Sequence, residues 1–247
     1  MTALRLSGVS RAFGGVRAVN DVSFALEPAT VTALIGPNGA GKSTLFNLID
    51  GQLAPDAGSI EFEGRSLVNV PIAARTRAGI GRTFQVARTF ASMTVRQNAQ
   101  LALTAAAGQA LSVGTPLAGR ATEAADRLLQ QVGLGDRGDA PAAALAYGDL
   151  KRLEFALALA AGPRLLLMDE PTAGMAPGER TALMALVLAL VRERRMTVLF
   201  TEHSMDVVFG FAERVLVLSR GRLIADGDAA QVRANREVQA IYLGSEA

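Results

Sequence analysis

Short runs that alternate apolar and polar residues recur near the start of the chain, at Leu4–Val9, Val22–Leu26 and Ser59–Glu63. Such alternation predicts half-buried antiparallel strands, and Pro55-Asp56-Ala57-Gly58 supplies turn chemistry ahead of the third. Between them, Val31 to Ile35 is apolar and β-prone, a buried strand, and Thr44 to Ile49 continues in helix-compatible residues. From about Val86 to Ala161 the pattern becomes helical and alanine-rich, broken at Gly108, Gly114-Thr115-Pro116 and Gly133. Within it Thr122 to Val132 predicts a helix with Gly133 as its C-terminal cap.

Strand and helix signals alternate again further on. Strands are expected at Leu165–Met168, Thr197–Thr201, Val215–Leu218 and Arg222–Ala225, with a helix over Gly178–Arg195. The pattern predicts an α/β fold: a mostly parallel core, a β-rich N-terminal part and a helical insertion near 86–160. Residues 1–85 and 161–247 would form the core of one domain spanning 1–247.

Composition narrows the class. Half of the 247 residues are hydrophobic and 19% are charged, which suits one large domain with a sizeable core. No cysteine is present, which excludes disulfides and thiolate metal sites and is compatible with a reducing cytoplasm. The net charge of +2 is small, so the pI near 9.5 carries little argument for nucleic-acid binding. Met1 to Gly15 lacks an apolar core of signal-peptide length. The longest apolar run, Ala182 to Val191, is too short for a span of roughly 20 residues.

The strongest chemical signal is Gly36-Pro37-Asn38-Gly39-Ala40-Gly41-Lys42-Ser43-Thr44, which fits G-x-x-x-x-G-K-[ST] between a predicted strand and helix. Glycines let the backbone curl around an anion with its N–H groups pointing inward. A helix starting near Lys42 adds the positive end of its dipole. Lys42 can reach the outer phosphates of a nucleoside triphosphate, and the Ser43 hydroxyl can ligate magnesium. The pattern is not a product of composition, since lysine occurs only at Lys42 and Lys151.

A second signal is the apolar run Leu165–Met168 ending in Asp169-Glu170. At the C-terminal edge of a parallel sheet these acids would stand beside the phosphate loop. Asp169 would hold magnesium, directly or through water, and Glu170 would orient or deprotonate the attacking water. His203, the only histidine, follows the strand Thr197–Thr201; its position alone does not distinguish a surface residue from a functional one.

Taken together these stretches resemble the nucleotide-binding subunit of an ABC transporter. The likeness runs from Phe13-Gly14-Gly15 to Ala240-Ile241-Tyr242-Leu243-Gly244. It includes, in order, the loop 36–44, Gly81-Arg82-Thr83-Phe84-Gln85, Leu145-Ala146-Tyr147-Gly148-Asp149, the strand ending Asp169-Glu170, and Thr201-Glu202-His203. Several of them, with Pro171-Thr172-Ala173-Gly174-Met175, look like the ATPases of branched-chain amino acid importers. The resemblance implies that Phe13 stacks on adenine, that Gln85 joins Ser43 and Asp169 at the magnesium ion, and that His203 contacts the γ-phosphate. Tyr147 and Gly148 would offer donors to ATP held by an opposite protomer, aided by a helix beginning near Leu150. Implied partners are a second ATPase subunit, identical or paralogous, transmembrane permease subunits, and indirectly a periplasmic solute-binding protein. The place of work would be the cytoplasmic face of the inner membrane, and the segment Val86 to Met93 would touch the permease.

Four positions depart from the family pattern: Ala146 for the usual serine, Asp149 for glutamine, Leu157 for arginine, and Ala176 for a polar residue. They bear on coupling between subunits more than on ATP binding. Three other readings remain: the ATPase of an importer or exporter of another solute, a soluble ATPase acting on nucleic acid or ribosomes, and a binding-only subunit paired with an active paralogue. The second is disfavoured by a single module without heptads.

Overall fold

A computed structural model describes residues 2–83, 89–108 and 121–243. The N-terminal part is a four-stranded antiparallel sheet in the order β2-β1-β4-β5, made of β1 (Leu4–Phe13), β2 (Val16–Leu26), β4 (Ala57–Phe62) and β5 (Arg65–Ser66). Strands β1 and β2 run further than the alternation predicted. Their distal halves pair from Val9 to Phe13 through irregular register, and polar residues there obscure the two-residue period.

The second sheet has six strands in the order β10-β9-β3-β8-β7-β6, drawn from β3 (Val31–Ile35), β6 (Ile80–Arg82), β7 (Leu165–Asp169), β8 (Thr197–Thr201), β9 (Arg214–Ser219) and β10 (Arg222–Gly227). All its pairings are parallel except β9 with β10, as the apolar runs implied. Side chains alternate across it. Val31, Ala33, Ile35, Leu166, Met168, Val198 and Phe200 face one apolar cluster; Leu34, Leu165, Leu167, Leu199 and Leu216 face the other. The second cluster continues into the antiparallel sheet, and the first continues into the helices.

Helix α1 (Lys42–Asp50) follows β3, and α2 (Ile72–Arg77) precedes β6. The helices α3 (Val95–Ala106), α4 (Thr122–Gln131) and α5 (Tyr147–Leu159) lie between β6 and β7. Thr94 caps α3 by accepting from Gln97 N. Gly133 follows the end of α4 at φ 75, the left-handed geometry of a helix stop. Helix α5 begins at Tyr147, three residues before the expected Leu150. Helix α6 (Pro177–Arg194) connects β7 to β8, α7 (Met205–Phe211) connects β8 to β9, and α8 (Ala229–Ala234) and α9 (Arg236–Leu243) end the described chain. The sequence pattern missed α2, α7, α8 and α9, helices of one or two turns in which the 3.6-residue period hardly repeats. It also missed β5 and the three-residue β6.

Arg75 of α2 is buried and donates only to carbonyls: Nε to Val70 O, Nη1 to Leu48 O and Ile49 O, and Nη2 to Leu67 O, at 2.6–2.9 Å. Two of those carbonyls end α1, where a cation complements the helix dipole. Burial pushes the Arg75 pKa down from its ordinary value, with Asp50 opposing. Replacing Arg75 by alanine takes a donor from four carbonyls, while Asp50 keeps Arg82 and Gln52 as partners. The expected loss is on the order of 3–5 kcal/mol in chemical denaturation. A loss below about 1 kcal/mol would show that water replaces the guanidinium without penalty.

Candidate functional site

The site is built at one edge. Register brings Leu34 beside Thr201 and Asp169 beside Thr201, so the C-terminal ends of β3, β8 and β7 lie together. In a parallel sheet this is the edge where ligands bind. From these three ends come the loop 36–41, the pair Glu202-His203 and the pair Asp169-Glu170.

The loop needs its glycines. A Cβ on Gly36 would lie 2.1 Å from Leu218 O, and one on Gly41 would lie 2.2 Å from Ala18 O. Both residues also have positive φ, 156 and 106. Gly221 N donates to Ala40 O at 2.9 Å, so the turn between β9 and β10 steadies the loop from outside. Lys42 opens α1, as expected, and its Nζ donates to Gly36 O at 2.6 Å and Pro37 O at 3.1 Å. The lysine thus folds back over the loop. Burial lowers its pKa from 10.5, while Glu170 and Asp169 oppose that shift.

A cleft of about 330 Å³ is lined by Ala18, Asn38, Gly39, Ala40, Gly41, Lys42, Ser43, Thr44, Asp169, Glu170 and His203. All of these except Ala18 were singled out in the sequence. Thr201 Oγ1 donates to Asp169 Oδ1 at 2.8 Å and accepts from Glu170 N at 3.1 Å. Glu170 has φ 49, a left-handed turn that swings its side chain out of the strand direction. Its Oε1 lies 2.8 Å from His203 Nε2. The histidine is therefore brought to the acid that the sequence put in charge of water, which its position in the chain did not reveal.

Arg82, assigned no role from the sequence, reaches Asp50 Oδ2 at 2.5 Å, Asn47 Oδ1 at 2.7 Å and Asp169 Oδ2 at 3.3 Å. Both Asp169 oxygens thus meet a donor from the protein. Thr201 was also missed as an individual residue. A hydroxyl in the last place of a buried strand, next to Glu202-His203, is the signal that pointed to it.

Other expected residues lie elsewhere. Phe13 ends β1 opposite Val16; both side chains are exposed, and Arg11 stacks on the Phe13 ring at 5.1 Å. Neither lines the cleft. Tyr147 donates its hydroxyl to Ala173 O at 3.0 Å, and Gly148 packs so tightly on Glu179 that a Cβ would lie 2.6 Å from its Oε1. These two residues stand away from the cleft of their own chain. Gln85 lies outside the described residues.

Two departures from the family pattern prove to be helix caps. Ala146 precedes α5 and Ala176 precedes α6, both in extended geometry, and a methyl group accepts no hydrogen bond from either helix start. Glu179 answers only half of the second cap by accepting from Ala176 N at 3.1 Å. Asp149 falls in the first turn of α5, where its charge suits the helix dipole.

Among the described residues no group of three or more His, Asp or Glu side chains forms a metal cage. The oxygens of Ser43 and Asp169 share the cleft instead. Such a set suits a hard cation that takes its remaining ligands from phosphate and water.

The chain's relatives agree with this geometry. A family model described as ABC transporter matches residues 19–173, and one described as branched-chain amino acid ATP-binding cassette transporter matches residues 222–247. The high-affinity branched-chain amino acid transport ATP-binding protein LivG of Escherichia coli K12 is 39% identical over 252 residues, covering 98% of this chain and 97% of that protein. Its counterpart BraF of Pseudomonas aeruginosa is 38% identical over 248 residues, at 98% and 97% coverage. A solved ATP-binding cassette of an ABC transporter in its ADP conformation superposes with a TM-score of 0.88 at 32% identity, covering 99% of each chain. A nucleotide-free cassette gives 0.87 at 31% identity, covering 98% of this chain and 99% of that one.

Proposed function

The chain belongs to the ABC transporter family as an ABC ATPase, and from that premise we propose that it energises an importer of branched-chain amino acids. The observation that carries the substrate class is the C-terminal match over residues 222–247, a stretch outside the nucleotide cleft. The full-length likeness to LivG and BraF supports it.

The cleft residues supply the chemistry. Loop N–H groups and Lys42 hold the phosphates of ATP. Ser43 and Asp169, with Gln85, would hold Mg²⁺, which supplies charge neutralisation on the phosphates. Thr201 and Arg82 keep the Asp169 carboxylate oriented. Glu170 takes the proton from the attacking water, and His203 Nε2, 2.8 Å from Glu170 Oε1, steadies that carboxylate and faces the γ-phosphate. Phe13, exposed beside Val16 on a hairpin tip, offers a flat apolar surface for adenine.

ABC ATPase subunits of transporters work with transmembrane permease components. Here no helix among the described residues is long and apolar enough to cross a membrane, and the chain would sit on the permease at the cytoplasmic face. A second ATPase subunit, identical or paralogous, would present its Tyr147 and Gly148 to ATP in this cleft, and a periplasmic binding protein would deliver the solute. The permease contact falls at Val86 to Met93, of which residues 86–88 lie outside the described residues. Phe90 is exposed while Asn98 holds its backbone in place.

Production of the chain with its permease partners, in cells lacking their own importers, is expected to restore leucine, isoleucine and valine uptake. Uptake of an unrelated solute alone would overturn the substrate class. Phe90→Ala is expected to cut that uptake about tenfold or more while ATP affinity stays within about twofold, as misplacement at a contact far from the chemistry does. Unchanged uptake would remove Phe90 from the permease contact.

A further inference from the structure

Glu202 is buried, and its carboxylate is used at both ends. Its Oε1 accepts from Thr172 N at 2.9 Å and from Thr172 Oγ1 at 2.6 Å, while Oε2 accepts from His203 N at 3.1 Å. Among the described residues no cation pairs with it, so three donors from two separate loops are what keep this carboxylate in the interior. Thr172 is itself buried and lies two residues beyond Glu170. The bonds close a ring: from Glu170 through its side chain to His203, from the His203 backbone to Glu202, from Glu202 to Thr172, and along the backbone to Glu170 again.

Such a ring fixes a distance that neither loop sets alone. His203 is half exposed, and its imidazole has no other hydrogen bond among the described residues to hold it against Glu170. We infer that Glu202 is a positioning residue for ATP hydrolysis: by clamping the loop after Glu170 to the His203 backbone, it sets the contact between His203 and Glu170. The inference rests on the reading of Glu170 and His203 given above. It adds a consequence that the pair alone lacks. A shift of residues 171–175 is passed to His203 through Glu202, and Tyr147 already touches that loop through Ala173 O.

The test uses Glu202→Gln, Thr172→Val and Thr172→Ser in the full-length chain. A glutamine of the same shape must turn an NH₂ group toward one of the N–H donors. Valine keeps the shape of Thr172 but loses the hydroxyl donor, and serine restores it. The single histidine makes the imidazole nitrogens of His203 readable by NMR in isotope-labelled protein without assignment. Glu202→Gln and Thr172→Val are expected to move those resonances toward free histidine and to slow hydrolysis about tenfold or more, with ATP affinity within about twofold. Thr172→Ser is expected to match the parent in all three readouts.

Unmoved His203 resonances in a folded Glu202→Gln protein would overturn the inference, as would Thr172→Ser as impaired as Thr172→Val. If Glu202→Gln fails to fold, the two Thr172 variants decide alone. Full hydrolysis by Glu170→Gln would defeat the reading of the catalytic pair, whereas the resonances would still report whether Glu202 positions His203.

Discussion

Glu170→Gln is expected to bind ATP as tightly as the parent and to hydrolyse it about 10²–10⁴-fold more slowly, the usual worth of a general base. The amide preserves the shape of the side chain and the strained turn at φ 49, because the backbone there is held by Thr201 O and Thr201 Oγ1 rather than by the carboxylate. What disappears is the basic oxygen that meets His203 Nε2 at 2.8 Å. Single-turnover hydrolysis measured beside equilibrium nucleotide binding separates the two effects. A variant that hydrolyses at the parental rate would move the base elsewhere. A variant that loses affinity in proportion would make Glu170 a binding residue.

Lys42→Ala is expected to act on the other half of that division. Its ammonium sits against Gly36 O and Pro37 O in the cleft proposed to take phosphate. Removing it costs a charge-assisted bond to the ligand and two bonds that shape the loop. A loss of about 3 kcal/mol, or on the order of 10²-fold in ATP affinity, follows. Affinity in the variant equal to the parent would refute the assignment of the loop. The pH dependence has a definite sign. Burial lowers the Lys42 pKa below its ordinary 10.5, so the free protein loses this proton earlier than an exposed lysine does as pH rises. Only the protonated form attracts phosphate, so ATP affinity should decline through that alkaline range. The decline should be missing from Lys42→Ala.

The sequence was legible where its chemistry is local. Residues 36–44 announce a phosphate loop because every part of it is contiguous, and Leu165–Glu170 announces a buried strand with acids at its end. The apolar runs of β3, β7, β8 and β9 were equally plain, since burial on both faces leaves few polar residues in them. Residues that act through distant partners were not legible. Arg82 meets Asp169 across 87 positions and Asn47 across 35, and no spacing rule ties them. His203 reaches Glu170 only because β7 and β8 are neighbours in register. The caps at Ala146 and Ala176 were visible as departures from the family pattern, yet their meaning as helix starts depended on where α5 and α6 begin.

The placement of β3 in the middle of its sheet also bears on how the chain comes into being. Its neighbours are β8 and β9, and the bond from Ala29 N to Thr197 Oγ1 joins residues 168 positions apart. A ribosome adding roughly 5–20 residues per second needs on the order of ten to thirty seconds to supply those neighbours. During that interval β3 lacks both of its sheet neighbours, and of its buried residues only Leu34 faces the cluster shared with the earlier antiparallel strands. The parallel sheet around β3 can therefore close only after β8 and β9 have been made.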